Sequence, residues 1–326
     1  MIPTPTSDDP VDHDEQRGLD LLAAGDPAAA LVVFERVLAA REATPGAAPP
    51  DLARAANNLD MALKGVGDPA AARPYFERAL ALWEASAGPD HPGAATAANN
   101  LGAALEELGE LEAARPYFER ALAIRERAFG PDHPDAATVA NNLGSLLESL
   151  GDLDGARAYF ERALASFEAA YGPENLETAG CLNNLGFLLL RQGDHDGARP
   201  LLERALAIRE AALDPDHPQI ATSLNNLGYL LLETGDLAAA RPLLERALAV
   251  WEAALGADHP ATASAASNLG ILCYYEGDAA AAAGFMRRAL RAREQSLGPD
   301  HPLTAQSRRN LLTVQVAAWN LGEPED

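Results

Sequence analysis

At 326 residues the chain is long enough for two domains, yet only 6% of it is aromatic while 48% is hydrophobic, so Ala and Leu must close most of its interior, as in close-packed helices. The 48 acidic and 25 basic residues give a formal charge of −23, which disfavours nucleic acid and anionic membrane surfaces as partners. One basic residue, Lys64, is a lysine, and Gly65-Val66 follows it, so a phosphate loop ending in Gly-Lys-Ser/Thr is absent.

In chain order, residues 1–12 are acidic and Pro-rich and are expected to be disordered, with neither the basic start nor the apolar core of a signal peptide. From residue 13 a strict period takes over. Asn58, Asn100, Asn142, Asn184, Asn226, Asn268 and Asn310 recur every 42 residues, and so do Gly25, Gly67, Gly109, Gly151, Gly193, Gly235 and Gly277. Phe34, Phe76, Phe118, Phe160, Leu202, Leu244 and Met286 form a third series. The repeats fall near 13–45, 50–87, 92–129, 134–171, 176–213, 218–255 and 260–297, followed by a single helix at 302–321 and a tail at 322–326. This leaves no room for a separate catalytic domain.

Each repeat reads as two helices. In the third, Pro92 supplies the preset φ of a first helical position and Asp90 or His91 can accept from the open N–H groups. Ala98, Leu101, Gly102 and Leu105 then make one apolar stripe, and Gly109 ends the helix. The second helix is expected from about Glu110 to Ala128, burying Leu111, Ala114, Phe118, Ala121 and Leu122, with Gly130-Pro131 as its stop. Pro74, Pro116, Pro200 and Pro242 fall inside second helices, where a mild bend is expected.

The string Asn99-Asn100-Leu101-Gly102, followed by Leu105, Ala114, Phe118 and Ala121, resembles the tetratricopeptide signature. The 42-residue period and the Gly-Pro-Asp-His-Pro linker are similar to the subtype typified by kinesin light chain and its bacterial relatives. The resemblance covers about residues 16 to 321. It implies an all-α fold: a right-handed α-solenoid of about seven tetratricopeptide helix pairs plus a C-terminal capping helix. No heptad coiled coil accompanies the repeats, so the motor role does not carry over.

His91, His133, His217, His259 and His301 recur in the linkers, with Asn175 in the remaining one. Layers about 10 Å apart cannot share an ion whose ligands lie about 2 Å away, so these residues are expected to cap helices and no metal or cofactor is expected. Cys181 and Cys273 stand two repeats apart and are expected to be small buried residues rather than a disulfide, which fits a cytoplasmic location. No nucleophile elbow or Cys–His pairing points to an enzyme. No stretch reaches the roughly 18 to 20 apolar residues that a membrane span needs.

In a tetratricopeptide stack the face opposite the apolar stripe of the first helix lines the concave surface. That places Asn57, Asn99, Asn141, Asn183 and Asn225 in the groove, where carboxamides can pair with any peptide backbone. The second Asn of each pair is expected to lie nearer the next repeat and to be structural. Variable groove positions turn acidic at Glu106 and Glu148, then apolar and aromatic at Phe187, Tyr229, Tyr274 and Tyr275, with Arg191 among them. The expected function is a scaffold that binds an extended or partly helical peptide segment, neutral to basic with apolar anchors. The alternative is a regulatory sensor gated by a peptide signal. Self-association is left open.

Overall fold

A computed structural model describes residues 10–44, 49–66 and 69–321. Among them are fifteen helices and no strand. The chain divides into two compact units, Met1–Ala170 and Tyr171–Asp326. The first contains α1 (Pro10–Ala23), α2 (Pro27–Ala43), α3 (Pro49–Val66), α4 (Pro69–Ala87), α5 (Pro92–Glu107), α6 (Leu111–Phe129), α7 (Pro134–Ser149) and α8 (Leu153–Tyr171). The second contains α9 (Leu176–Arg191), α10 (His195–Ala212), α11 (Pro218–Glu233), α12 (Leu237–Leu255), α13 (Pro260–Tyr275), α14 (Ala279–Leu297) and α15 (Pro302–Leu321). Within each, helices adjacent in sequence pack on one another, the arrangement of an all-α solenoid.

The helix boundaries follow from local chemistry. His91, His133, His217 and His259 are N-cap residues whose Nδ1 accepts the N–H two residues on, at 3.0 to 3.2 Å. His301 does the same for Leu303, and Asn175 serves through Oδ1 with Glu177 at 2.8 Å. The linker histidines therefore cap helices, as the sequence suggests. Second helices open on a different cap: the Asp26, Asp194, Asp236 and Asp278 carboxylates accept from the N–H three residues on. Between the two helices of a repeat Gly109 takes φ 77°, a left-handed turn that a side chain would strain. Gly67 of the same series lies outside the described residues.

Two boundaries differ from expectation. Helix α1 begins at Pro10, so residues 10–12 are helical rather than unstructured. Asp12 pairs with Arg41 and, further along the helix, Asp14 pairs with Arg36 at 2.6 Å, docking the start of α1 on α2. The second helix of the third repeat runs Leu111–Phe129, with Glu110 as its N-cap.

Packing inside a repeat turns on a glycine facing a large side chain. A Cβ added at Gly144 would lie 2.7 Å from the Phe160 ring, and one at Gly228 would lie 2.7 Å from Leu244 Cδ2. Phe118, Phe160, Leu202 and Leu244 are buried in these seats. In α15 the corresponding position holds Leu312, which is 60% exposed.

Candidate functional site

Within each unit, hydrogen bonds join the Asn pairs of successive first helices into a ladder. Asn142 donates through Nδ2 to Asn99 Oδ1 at 2.9 Å, Asn226 to Asn183 at 3.2 Å and Asn268 to Asn225 at 2.9 Å. At the start of the array Glu15 stands in the register of the first Asn and accepts from Asn58 at 2.8 Å and from Arg54 at 2.9 Å. Asn99, Asn183 and Asn225 thus spend their carbonyls on the neighbouring repeat, and Asn183 and Asn225 are buried. Asn57, Asn99 and Asn141 are half-buried, and Asn57 Oδ1 has no hydrogen-bond partner.

Beside this ladder, in the C-terminal unit, lies an open cavity of about 810 Å³. Side chains at matching registers of consecutive first helices line it: Phe187 of α9, Tyr229 of α11 and Ile271 of α13 form one row. Asn226, Asn268 and Asn310 form a second row, and Thr222, Ser264 and Gln306 a third. Trp251 and Arg293 enter from the second helices α12 and α14. The wall therefore alternates apolar rings with amides and hydroxyls, which suits a peptide backbone flanked by bulky side chains.

Of the residues singled out from sequence, Phe187, Arg191, Asn225 and Tyr229 meet at this cavity. Burial and the neighbouring Glu233 carboxylate push the Tyr229 hydroxyl up to about 12, so it stays protonated and can donate. Tyr274 and Tyr275 lie elsewhere, at the end of α13, 39% and 58% exposed with their rings 6.0 Å apart. Tyr275 instead borders a hollow of about 280 Å³ with Leu232, Glu233 and Leu237. In the N-terminal unit a small hollow of about 210 Å³ gathers Thr96, Asn99, Arg125, Asp135 and Thr138. Glu106 and Glu148 are half-buried outside it.

Thr222, Ser264 and Gln306 are among the lining residues that sequence reasoning missed, as are Trp251 and Arg293, which enter from second helices. The signal was present: Arg41, Trp83, Arg125, Phe167, Arg209, Trp251 and Arg293 are spaced by the repeat length, alternating Arg with an aromatic residue.

The profile of the tetratricopeptide repeat matches in overlapping windows, 12–82, 51–127, 95–169, 135–211, 177–253 and 220–295. The chain belongs to the tetratricopeptide repeat family. Similar solved structures include BtubC (BKLC) from P. vanneervenii, 23% identical, covering 78% of this chain and 95% of that one with a TM-score of 0.54. A putative kinesin light chain of Podosopora anserina with nearly identical repeats is 21% identical over 64% of this chain and 98% of that one, TM-score 0.51. The apo form of the quorum sensor NprR from B. thuringiensis is 12% identical over 96% and 82%, TM-score 0.65. These likenesses bear on the fold. No curated protein matches the chain by sequence.

As a tetratricopeptide repeat protein the chain is a protein-interaction scaffold and not an enzyme. Among the described residues no cluster of three or more His, Cys, Asp or Glu is placed to hold a metal ion. No described helix is long and apolar enough to cross a membrane.

Proposed function

We propose that the cavity of the C-terminal unit holds an extended or partly helical segment of a partner protein. The observation that carries this reading is the lining itself, in which four consecutive first helices present matching registers of side chains to one cavity. Phe187, Tyr229, Ile271 and Trp251 take the apolar anchors of the segment. The Asn226, Asn268 and Asn310 row faces its backbone, because a carboxamide both donates and accepts.

In the N-terminal unit, Glu106 and Glu148 favour a neutral or basic stretch of a partner. The net charge of −23 supports a protein rather than nucleic acid or an anionic membrane as partner. The buried thiols of Cys181 and Cys273 fit the cytoplasm.

A peptide array of random sequence, probed with the full chain and with Tyr229→Ala and Phe187→Ala, tests the reading. Binders that weaken about tenfold or more in those variants, and not in the outer-face variant Arg199→Ala, support it. Binders indifferent to all three exclude the cavity. The alternative, a sensor gated by a peptide signal, draws on the likeness to the quorum sensor NprR. A fall in radius of gyration when a selected peptide is added, seen by small-angle scattering, favours the sensor over a passive scaffold.

A further inference from the structure

Five second helices carry the same exposed ion pair, its partners one turn apart: Arg73–Glu77, Arg115–Glu119, Arg157–Glu161, Arg199–Glu203 and Arg241–Glu245, at 2.7 to 3.8 Å. The two ends of this row break it in opposite senses. In α2 the register of the arginine holds Leu31, which leaves Glu35 without the cation its counterparts have. In α14 the register of the arginine holds Ala283, and that of the glutamate holds Arg287. One turn further, Arg291 takes a place that is alanine in each of the six other repeats. Glu35, Arg287 and Arg291 are exposed, and among the described residues none of the three has an ion-pair partner.

Packing does not call for these departures, because the same registers in α12, Glu245 and Ala249, are exposed as well. Two free guanidiniums a turn apart neutralise too few phosphates to hold nucleic acid against the field of a chain at −23, which leaves an acidic protein surface as what they suit. The other end of the row offers one. Val32, one turn before Glu35, is 65% exposed, whereas the residue one turn before Arg287 is Gly284, where an added Cβ would meet nothing within 4 Å. The two faces therefore complement each other twice and in the same order along the helix: a projecting valine with an open glycine, then a carboxylate with two guanidiniums.

We infer that this face of α2 in one copy of the chain docks on the same face of α14 in a second copy, the helices parallel, with Val32 over Gly284 and Glu35 between Arg287 and Arg291. The contact is heterologous, and each copy offers both halves of it. It uses no residue of the cavity and is independent of the peptide reading. Exposed ion pairs are individually weak, so the association is weak and reversible and the charges set its register more than its strength.

Sedimentation equilibrium of the full chain reads this directly, at about 0.15 M salt, where a Debye length of about 8 Å screens the mutual repulsion of two acidic chains more than it screens a contact pair. The average mass of the unaltered chain is expected to rise with concentration above that of a single chain. Arg287→Glu and Glu35→Arg should each weaken association about tenfold or more, since each sets like charges against one another. Arg287→Glu introduces the residue that the six other repeats hold at this register, and Arg291→Ala, expected to weaken association less, does likewise, so the fold tolerates both. An equimolar mixture of Arg287→Glu and Glu35→Arg chains recovers association, because Glu35 of the first meets Arg287 of the second.

A chain that stays at the mass of one copy throughout, an association indifferent to both charge reversals, or a mixture that fails to recover it overturns the contact. Hexaglutamate, titrated against the unaltered chain and against Arg287→Glu, covers the other occupant. Binding of this probe by a chain that does not self-associate, lost in Arg287→Glu, assigns the face to a different acidic partner and overturns the second copy.

Discussion

Asn268 donates its Nδ2 hydrogen to Asn225 Oδ1 at 2.9 Å, a bond that crosses from the seventh repeat to the sixth. Because Asn225 is buried, Asn268→Ala leaves its carbonyl oxygen without a donor, and an unsatisfied buried polar group costs about 1–3 kcal/mol. Urea unfolding of Asn268→Ala is expected to show that loss. Glu203→Ala, which removes one partner of an exposed pair with Arg199, should stay within about 0.5 kcal/mol of the unaltered chain.

The glycine seats make a graded prediction. A Cβ at Gly228 would meet Leu244 Cδ2 at 2.7 Å, whereas one at Gly102 would meet the Phe118 ring at 3.1 Å. Gly228→Ala should therefore cost more than Gly102→Ala, within the range of about 1–3 kcal/mol typical of overpacked cores. Restored stability in Gly228→Ala/Leu244→Ala, relative to the sum of the two single changes, would show that the clash is local.

The histidine caps tie stability to pH. His259 Nδ1 accepts from the Ala261 N–H at 3.1 Å, which requires an unprotonated nitrogen, and partial desolvation of this largely exposed ring lowers its pKa below 6.5. A depressed folded-state value means that the contribution is complete above about pH 6.5 and disappears as pH falls through the lower folded value. His259→Asn keeps a cap of the kind Asn175 already provides and does not titrate. Denaturation at pH 7.5 and pH 5 should show a smaller loss on acidification in His259→Asn than in the unaltered chain. An equal loss would assign the pH dependence to other groups.

For binding, Tyr229→Ala is expected to weaken selected peptides far more than Tyr274→Ala, since only Tyr229 faces the cavity. Anisotropy titrations of one labelled peptide against both variants measure the ratio. A ratio near one would move the site to the end of α13.

Helix boundaries were legible from sequence because their causes are local: a linker His or Asn two residues before an open N–H, an Asp three before, a glycine at positive φ between helices. The Asn ladder was half legible. Which Asn faces its neighbouring repeat depends on how helices are juxtaposed, which the periodicity within one helix does not encode. Helical angle alone groups Tyr274 and Tyr275 with Phe187 and Tyr229. The cavity row ends at Ile271, and one turn further α13 has passed beyond it. Arg293 is hard to read from sequence because its series alternates Arg with an aromatic residue over two repeats, whereas the Asn and Gly series recur at every one.

Leu312 bears on how far such an array can be built. In six of the seven repeats a glycine at this register admits the large side chain of the following helix to within about 3 Å of where a Cβ would stand. The second repeat carries Asp60 there and still buries Phe76, so a side chain at this register does not by itself stop a following helix. Engineers grafting a further module onto α15 therefore have two precedents within the chain for the junction, the glycine seat and the Asp60 one.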